Sequence, residues 1–251
     1  MSPMGKYLWF ISGGGAELAQ EMIDDQGYNV HLIPSGGLLD APALFLHSRD
    51  PVNELADLEE LKLRAAGDSV PILNLMDASA IFLPGGEIYA AMQEEPPVID
   101  AFEYTSPYIN WQMGFYEIAA YVYVSGCREP GDVHHFIVNQ TRWNELPGDL
   151  KAIVQQVSNE EALTSYGEKC QLDIEALAKF RGYGCVVEML SSEIEEAFVL
   201  AANEYYDDQA IGKPFYAEVL QSLRHFEEAL DAIGGYDKQC QEIYSWSAGV
   251  I

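Results

Sequence analysis

Short apolar runs alternate with polar segments along residues 1–105. Each apolar run is followed by a stretch with helical spacing, and this alternation favours βαβ units around a mainly parallel sheet. The predicted strands are Tyr7–Ser12, Val30–Ile33, Leu61–Ala65, Ala80–Leu83 and Ile99–Tyr104. The predicted helices are Glu17–Asp25, a segment that ends at Met76, and Ile88–Gln93, with turns at Gly13–Gly15 and Gly36–Gly37.

Beyond Pro107 the pattern becomes mainly helical. Two further strand candidates, Tyr121–Val124 and His134–Asn139, precede long stretches with helical spacing. The predicted helices are Ile109–Ala120, Gly148–Phe180, Ser191–Asp208 and Lys213–Leu230, with a strand at Cys185–Met189 and a final segment that ends near Tyr244. We therefore expect an α/β fold with a helical C-terminal third.

Charge changes this picture more than any other feature of the composition. The 251 residues include 40 Asp and Glu but only 13 Lys and Arg, for a formal net charge of -27. Such a chain repels nucleic acid and anionic membrane surfaces. A solvated acidic surface and a high-salt habitat both remain open as explanations. An acidic protein that binds an anion must gather positive charge locally, so each arginine near a pocket is a candidate ligand-binding residue.

Neither the glycine-rich turn nor the cysteines predict a cofactor site. The turn at Gly13–Gly15 lacks the later glycine and the lysine of phosphate-binding loops, and we interpret it as a tight turn between strand and helix. The cysteines show no C-x-x-C spacing. No stretch approaches the ~18 apolar residues of a membrane span, and the N-terminal segment does not have the pattern of a signal peptide.

Arg64 is the first candidate for binding a ligand. It ends the strand in LKLRAAG, and the carboxyl ends of strands face the crevice in which α/β folds bind ligands. Its planar guanidinium group can bind a carboxylate with two parallel hydrogen bonds. The alternative is a surface salt bridge with Glu59 or Glu60.

Two glutamates are candidates for a second role. Glu103 ends a strand and is followed by Tyr104, and Glu129 lies in the loop SGCREPG. Two carboxylates can form an acid–base pair of a hydrolase, or they can be oxygen ligands of a hard cation. In so acidic a chain their occurrence can also be coincidental. Sequence spacing alone leaves all three interpretations open.

Several runs in order resemble the solute receptors of TRAP (tripartite ATP-independent periplasmic) transporters. The resemblance is greatest to the branch that binds 2-oxo and 2-hydroxy monocarboxylates. The runs span roughly residues 7–151 and read WFISGGGAELAQEM, DLEELKLRAAG, PGGEIYAAMQ, VIDAFEYTSPY, CREPG and VNQTRWNELPGDLKAIV.

This resemblance implies roles for four residues. Arg64 would bind the ligand carboxylate, and Glu103 and Tyr104 would contact both the ligand and a bridging sodium or calcium ion. Glu129 would be a further ligand of that ion. The branch also uses a glutamine about twenty residues before the arginine, where this chain has LLDAPALF. Either Asp40 replaces the glutamine or the cation is absent.

The resemblance further implies a two-lobe, periplasmic-binding-protein-like receptor that delivers a small carboxylate to membrane components of a TRAP transporter. We expect residues 1–251 to form one solute-binding unit, with lobe two mainly at 7–103 plus the C-terminal helices, a partial lobe one at about 105–139, and long helices at 148–244. Against the family pattern, we expect the signal peptide and much of lobe one to be absent from these residues. The expected location is the periplasm, a homodimer is a possible assembly, and enzymatic activity is not expected. The alternatives are a hydrolase that uses Glu103 and Glu129, or a remnant that binds no ligand.

Overall fold

The computed structural model describes the backbone of residues 1–245 and their side chains, except those of residues 35–37 and 234–245. The helices are α1 Pro3–Ser12, α2 Gly15–Asp25, α3 Ser69–Asn74, α4 Ile88–Gln93, α5 Pro107–Gln112, α6 Gln140–Glu145, α7 Gly148–Tyr183, α8 Ser192–Ala210 and α9 Pro214–Ser245. The strands are β1 Val30–Leu39, β2 Leu46–Ser48, β3 Lys62–Ala65, β4 Ser79–Phe82, β5 Ala101–Phe102, β6 Tyr121–Val124, β7 Val133–Asn139 and β8 Val186–Met189. Short 3-10 segments lie at Leu55–Leu58, Gly85–Glu87 and Phe115–Glu117.

Two sheets organise the described residues. The larger has the strand order β4-β3-β5-β2-β6-β8, and the smaller pairs β1 with β7 in antiparallel fashion. In the larger sheet β3 is parallel to both β4 and β5, and β6 is parallel to β8. Only β2 runs antiparallel to its neighbours. The α/β prediction with a mainly parallel sheet is therefore confirmed, although β2 was not predicted.

The N-terminal apolar run is helical, so the prediction of a strand at Tyr7–Ser12 is wrong. The side chain of Ser2 caps α1 by accepting a hydrogen bond from the Gly5 amide at 3.1 Å, and Pro3 occupies the first turn. Both are typical features of a helix start. Trp9 is buried and its indole N–H donates to Ser222 in α9 at 3.1 Å. Capping and tertiary packing thus override the strand propensity of the aromatic residues.

The remaining predicted elements agree with the structure to different degrees. Helix α4 and strand β6 have the predicted bounds, and the other strands and long helices overlap their predicted ranges. The turn predicted at Gly36–Gly37 is wrong, because β1 continues through it with an irregular register between Ile33 and Leu38. Helix α5 is shorter than predicted because Gly114 adopts a φ of 74°, a conformation that ends a helix.

Two apolar clusters hold the strands that lead to the candidate residues. Leu63 of β3 packs with Phe45, Phe198 and neighbouring residues on one face of the sheet. Phe102 of β5 packs with Phe115 and α4 on the other. Because β3 and β5 are parallel and both are packed on buried side chains, their carboxyl ends lie side by side at one fixed edge.

Cys127, Cys170 and Cys185 are free thiols, whereas the Cys240 side chain lies outside the described residues. Within residues 1–245, no helix combines the length and apolarity that would allow it to cross a membrane. The division of the chain into lobe two and a partial lobe one stays a prediction.

Candidate functional site

Arg64 is buried at the carboxyl end of β3, with 4% of its surface exposed. Its Nε donates to the Leu83 carbonyl at 2.9 Å, and its Nη1 donates to the Glu103 carbonyl at 2.6 Å. The predicted alternative, a surface salt bridge with Glu59 or Glu60, is therefore wrong. Among the described residues the hydrogen bonds of Arg64 use Nε and Nη1, so its Nη2 remains available to a ligand.

Glu103 lies directly after β5 and is 2% exposed. One carboxylate oxygen, Oε1, contacts Arg64 Nη1 at 3.3 Å and accepts the Ala66 amide at 2.5 Å. The other oxygen, Oε2, contacts Arg128 Nη1 at 3.0 Å. The carboxylate is therefore held between two guanidinium groups, and each of its oxygens already has a donor.

Arg128 completes this arrangement, and sequence reasoning did not single it out. Its side chain is 5% exposed, and its Nη2 donates to the Leu44 carbonyl at 3.0 Å and to the Tyr104 carbonyl at 3.5 Å. Its Nε is buried without a hydrogen-bond partner among the described residues. A usable signal was present, because arginine is scarce in this chain and Arg128 stands beside the candidate Glu129. We call Arg64, Glu103 and Arg128 the arginine cluster.

Burial dominates the electrostatics of the arginine cluster. It raises the pKa of Glu103 above its ordinary value, and Arg128, Arg64 and the Ala66 amide oppose that rise. Burial likewise lowers the pKa of Arg64, whereas the neighbouring Glu103 raises it. Each ionised group thus depends on its partner, as is usual for charges removed from water.

Tyr104 and Glu129 flank the arginine cluster. The Tyr104 ring lies beside Arg64, with its centroid 5.5 Å from the guanidinium carbon. Gly85 allows this position, because a Cβ there would be 2.6 Å from the Tyr104 ring. The side chain of Glu129 is 36% exposed, and its Oε2 contacts Arg128 Nη1 at 3.2 Å. The structure therefore brings together Arg64, Glu103, Tyr104 and Glu129, and the roles that the resemblance implies for them stay predictions.

The geometry does not favour the two glutamates as an acid–base pair. Both contact the same nitrogen, Arg128 Nη1, which lies 3.0 Å from Glu103 and 3.2 Å from Glu129. A general acid or base needs an oxygen within hydrogen-bonding reach of the reacting group. The oxygens of the buried Glu103 already accept from Arg64, Arg128 and the Ala66 amide.

The three oxygen groups implied as cation ligands all contact the Arg128 guanidinium group, through two of its nitrogens. They are the Glu103 carboxylate, the Tyr104 carbonyl and the Glu129 carboxylate. A sodium or calcium ion bound at about 2.3–2.6 Å from these oxygens would need the same space. Within residues 1–245, the His, Cys, Asp and Glu side chains with described positions form no cluster of three that could hold a metal ion. With Arg128 in this position, the site does not fit a metal ion.

A second charged group lies outside the arginine cluster. Asp40, the candidate replacement for the family glutamine, follows β1, and its carboxylate contacts Lys169 Nζ of α7 and His134 Nε2 of β7, the latter at 2.6 Å. Burial alone would raise the pKa of Asp40, but the hydrogen bonds from Lys169 and His134 lower it below its ordinary value. We call Asp40, His134 and Lys169 the Asp40 cluster.

A buried polar group supports the segment that follows β5. The side chain of Asn110 accepts the Thr105 amide at 3.2 Å and donates to the Thr105 carbonyl at 3.0 Å. Its Nδ2 also lies 3.0 Å from His47 Nε2, and the His47 ring stacks on Phe102 with centroids 5.0 Å apart. Burial lowers the pKa of His47 to about 3. A neutral His47 therefore helps to fix the backbone next to Tyr104.

Solved structures to which this chain is similar include TRAP periplasmic solute binding proteins. The chain is similar to a TRAP periplasmic solute binding protein from Colwellia psychrerythraea with bound calcium and pyruvate, at 28% identity and a TM-score of 0.83, over 97% of this chain and 73% of that one. It is also similar to one from Pseudoalteromonas atlantica with bound sodium and pyruvate, at 26% identity and a TM-score of 0.81, over 96% and 72% of the two chains. In these relatives a cation does accompany the carboxylate ligand.

Sequence comparison leads to the same class of protein. The chain is 26% identical over 227 residues to the monocarboxylate 2-oxoacid-binding periplasmic protein of Nostoc sp., which corresponds to 90% of this chain and 61% of that protein. The chain thus spans less than two thirds of that relative's length. Residues 37–213 match the family described as bacterial extracellular solute-binding protein, family 7. The chain therefore belongs to this family of substrate-binding receptors.

Proposed function

We propose that the protein captures a small 2-oxo or 2-hydroxy monocarboxylate outside the cytoplasmic membrane and delivers it to a TRAP-type transporter. The observation that carries this proposal is the buried Arg64 guanidinium, whose Nε and Nη1 are fixed by described residues while Nη2 is not. A guanidinium fixed in this way can bind a ligand carboxylate without losing much conformational freedom.

The similar proteins support both the ligand class and the location. Two of them contain pyruvate, and a third is named a 2-oxoacid-binding periplasmic protein. Tyr104 would lie against the bound ligand next to Arg64, from which its ring centroid is 5.5 Å away. A periplasmic location and a homodimer, both implied by the resemblance, form part of the same proposal.

The proposal predicts binding without turnover. A thermal-shift series with pyruvate, 2-oxobutyrate and lactate should raise the melting temperature in proportion to occupancy, whereas glucose should not. Each acid should be recovered unchanged by NMR after long incubation. Chemical conversion of the ligand would favour an enzyme, and the absence of any shift would favour a chain that binds no ligand.

The variant Glu103→Gln separates a receptor from a hydrolase. In a receptor it should weaken pyruvate binding, because the amide binds the Arg64 and Arg128 guanidinium groups less strongly than the carboxylate does. In a hydrolase it would abolish turnover and largely spare affinity. Glu145→Gln is the matched control, since that side chain is 57% exposed and contacts Arg142 outside the arginine cluster.

A further inference from the structure

We propose that the Arg128 guanidinium is the resident cation of this site, in the position that the family resemblance assigns to sodium or calcium, so that carboxylate capture needs no metal ion. This inference rests on the proposed function and specifies how the site is charged. It starts from the three oxygen groups that surround the guanidinium, those of Glu103, Tyr104 and Glu129.

The two glutamates of the site require a positive charge between them. Two glutamates near one point repel an anionic ligand unless a positive charge lies between them. Arg128 Nη1 lies 3.0 Å from Glu103 Oε2 and 3.2 Å from Glu129 Oε2, so this nitrogen is the group that separates the two carboxylates. Arginine stays protonated under all ordinary conditions, so it provides this charge permanently.

Hydrogen bonds hold the Arg128 guanidinium group in this position. Its Nη2 donates to the Leu44 carbonyl at 3.0 Å. Leu44 is itself fixed, because its amide donates to the Thr105 carbonyl at 3.1 Å, and the amide of Ala43 donates to the Glu129 carbonyl at 3.0 Å. The guanidinium therefore belongs to a hydrogen-bonded frame. A metal ion would enter only if this buried group left its acceptors, which is costly.

One hydrogen-bond donor of Arg128 remains for a ligand. Arg128 Nε is buried and has no hydrogen-bond partner among the described residues. Buried N–H groups without a partner are rare in proteins and require an explanation. A ligand oxygen would supply the missing acceptor. A 2-oxo acid offers a carboxylate and an adjacent carbonyl oxygen, which suits one donor on Arg64 and one on Arg128.

Calcium titration of the chelator-treated protein tests the cation role directly. The wild type should show no one-to-one calcium site that depends on Glu103. The variant Arg128→Ala frees the three oxygen groups and should gain such a site, with at least tenfold tighter calcium binding than the wild type, and the additional change Glu103→Gln should remove it. If Arg128→Ala does not fold, Arg128→Gln is titrated instead. In either case the wild-type titration tests whether a calcium site that depends on Glu103 is present.

Pyruvate titration tests the consequence for the ligand. Wild-type affinity should change less than twofold between a buffer of choline chloride with chelator and buffers with sodium or calcium. Arg128→Ala should lose at least tenfold in the metal-free buffer and recover with calcium. The matched control Arg142→Ala alters an arginine that is 79% exposed and should leave affinity unchanged in every buffer.

The outcomes distinguish this inference from the proposed function. A Glu103-dependent calcium site in the wild type, a tenfold loss of wild-type pyruvate affinity on chelation, or failure of both Arg128 variants to gain a calcium site overturns the inference. If the wild type binds no pyruvate in any buffer, the proposed function fails, and the calcium titrations alone still decide whether Arg128 occupies a cation position.

Discussion

The arginine cluster and the Asp40 cluster are both built from oppositely charged side chains. They differ in burial and in whether hydrogen-bonding groups remain available to a ligand. In the first, Glu103 and the two guanidinium groups are at most 5% exposed, and donors on Arg64 and Arg128 remain available. In the second, Asp40 is 28% exposed and both of its oxygens are occupied, by Lys169 and His134.

The difference in burial and in available hydrogen-bond donors distinguishes a candidate ligand-binding site from a structural contact. Buried charges with unoccupied donors are costly for the fold and are retained where they bind something. A half-exposed carboxylate with two partners contributes modestly to stability and has no capacity left for a ligand. The Asp40 cluster ties α7 to the segments that follow β1 and begin β7, whereas the arginine cluster faces the carboxyl ends of β3 and β5.

The largest expected effect comes from removing the central carboxylate. Glu103→Ala leaves two buried guanidinium groups without their shared counter-charge, and we expect it to lower the free energy of unfolding by about 3–5 kcal/mol. Urea denaturation at pH 7 measures this loss. Glu129→Ala should cost less than about 1 kcal/mol, since that side chain is 36% exposed. Equal losses for both variants would contradict the distinction.

Acidification should lower the stability of the fold through His47. This residue of β2 is the register partner of Phe102 in β5, which directly precedes Glu103. The pKa of His47 is about 3 in the folded protein, against about 6.5 when unfolded. The unfolded chain therefore binds one proton more between these values, and stability falls as the pH drops below 6.5. The expected contribution is a loss of about 3 kcal/mol between pH 6.5 and pH 4.

The variant His47→Gln isolates this contribution because glutamine does not titrate and can still accept from Asn110. The slope of unfolding free energy against pH should decrease by about 1.4 kcal/mol per pH unit in this range. An unchanged slope would show that His47 is not the group that takes up the proton.

The smallest effect is expected at the Asp40 cluster. Asp40→Asn should lower the free energy of unfolding by about 1 kcal/mol at pH 7, because the amide loses the ionic part of its contacts with Lys169 and His134. The folded-state pKa of Asp40 is lowered, so its contribution is present above the unfolded pKa of about 4 and is lost as the pH falls through the folded value. Pyruvate affinity should not change. A strong loss of affinity would place Asp40 in the site after all.

Much of the fold could be predicted because apolar periodicity is a local signal. Helix α4 and strand β6 follow from it directly, whereas α1 does not, because its aromatic residues also suit a strand and only capping and contact with α9 decide between them. Strand β2 escaped prediction because it has only three residues at the end of the segment ALFLHS, which is too short to show a period.

The candidate site was predictable where it depends on parallel strands. Arg64 and the residue before Glu103 are register partners in β3 and β5, so strand ends alone bring the two charges together. Arg128 depends instead on how the loop after β6 packs against Leu44, a contact between residues 84 positions apart. No local pattern encodes that contact, and only the scarcity of arginine and the position beside Glu129 pointed towards it.

Calorimetric titration of pyruvate tests the central claim, carboxylate capture by Arg64, most directly. The account predicts one-to-one binding by the wild type, at least tenfold weaker binding by Arg64→Lys, which keeps the buried charge but loses the planar fork, and about 100-fold weaker binding by Arg64→Ala. Arg142→Ala should bind like the wild type. Pyruvate binding that persists unchanged in both Arg64 variants, or that is absent from the wild type, would contradict the account.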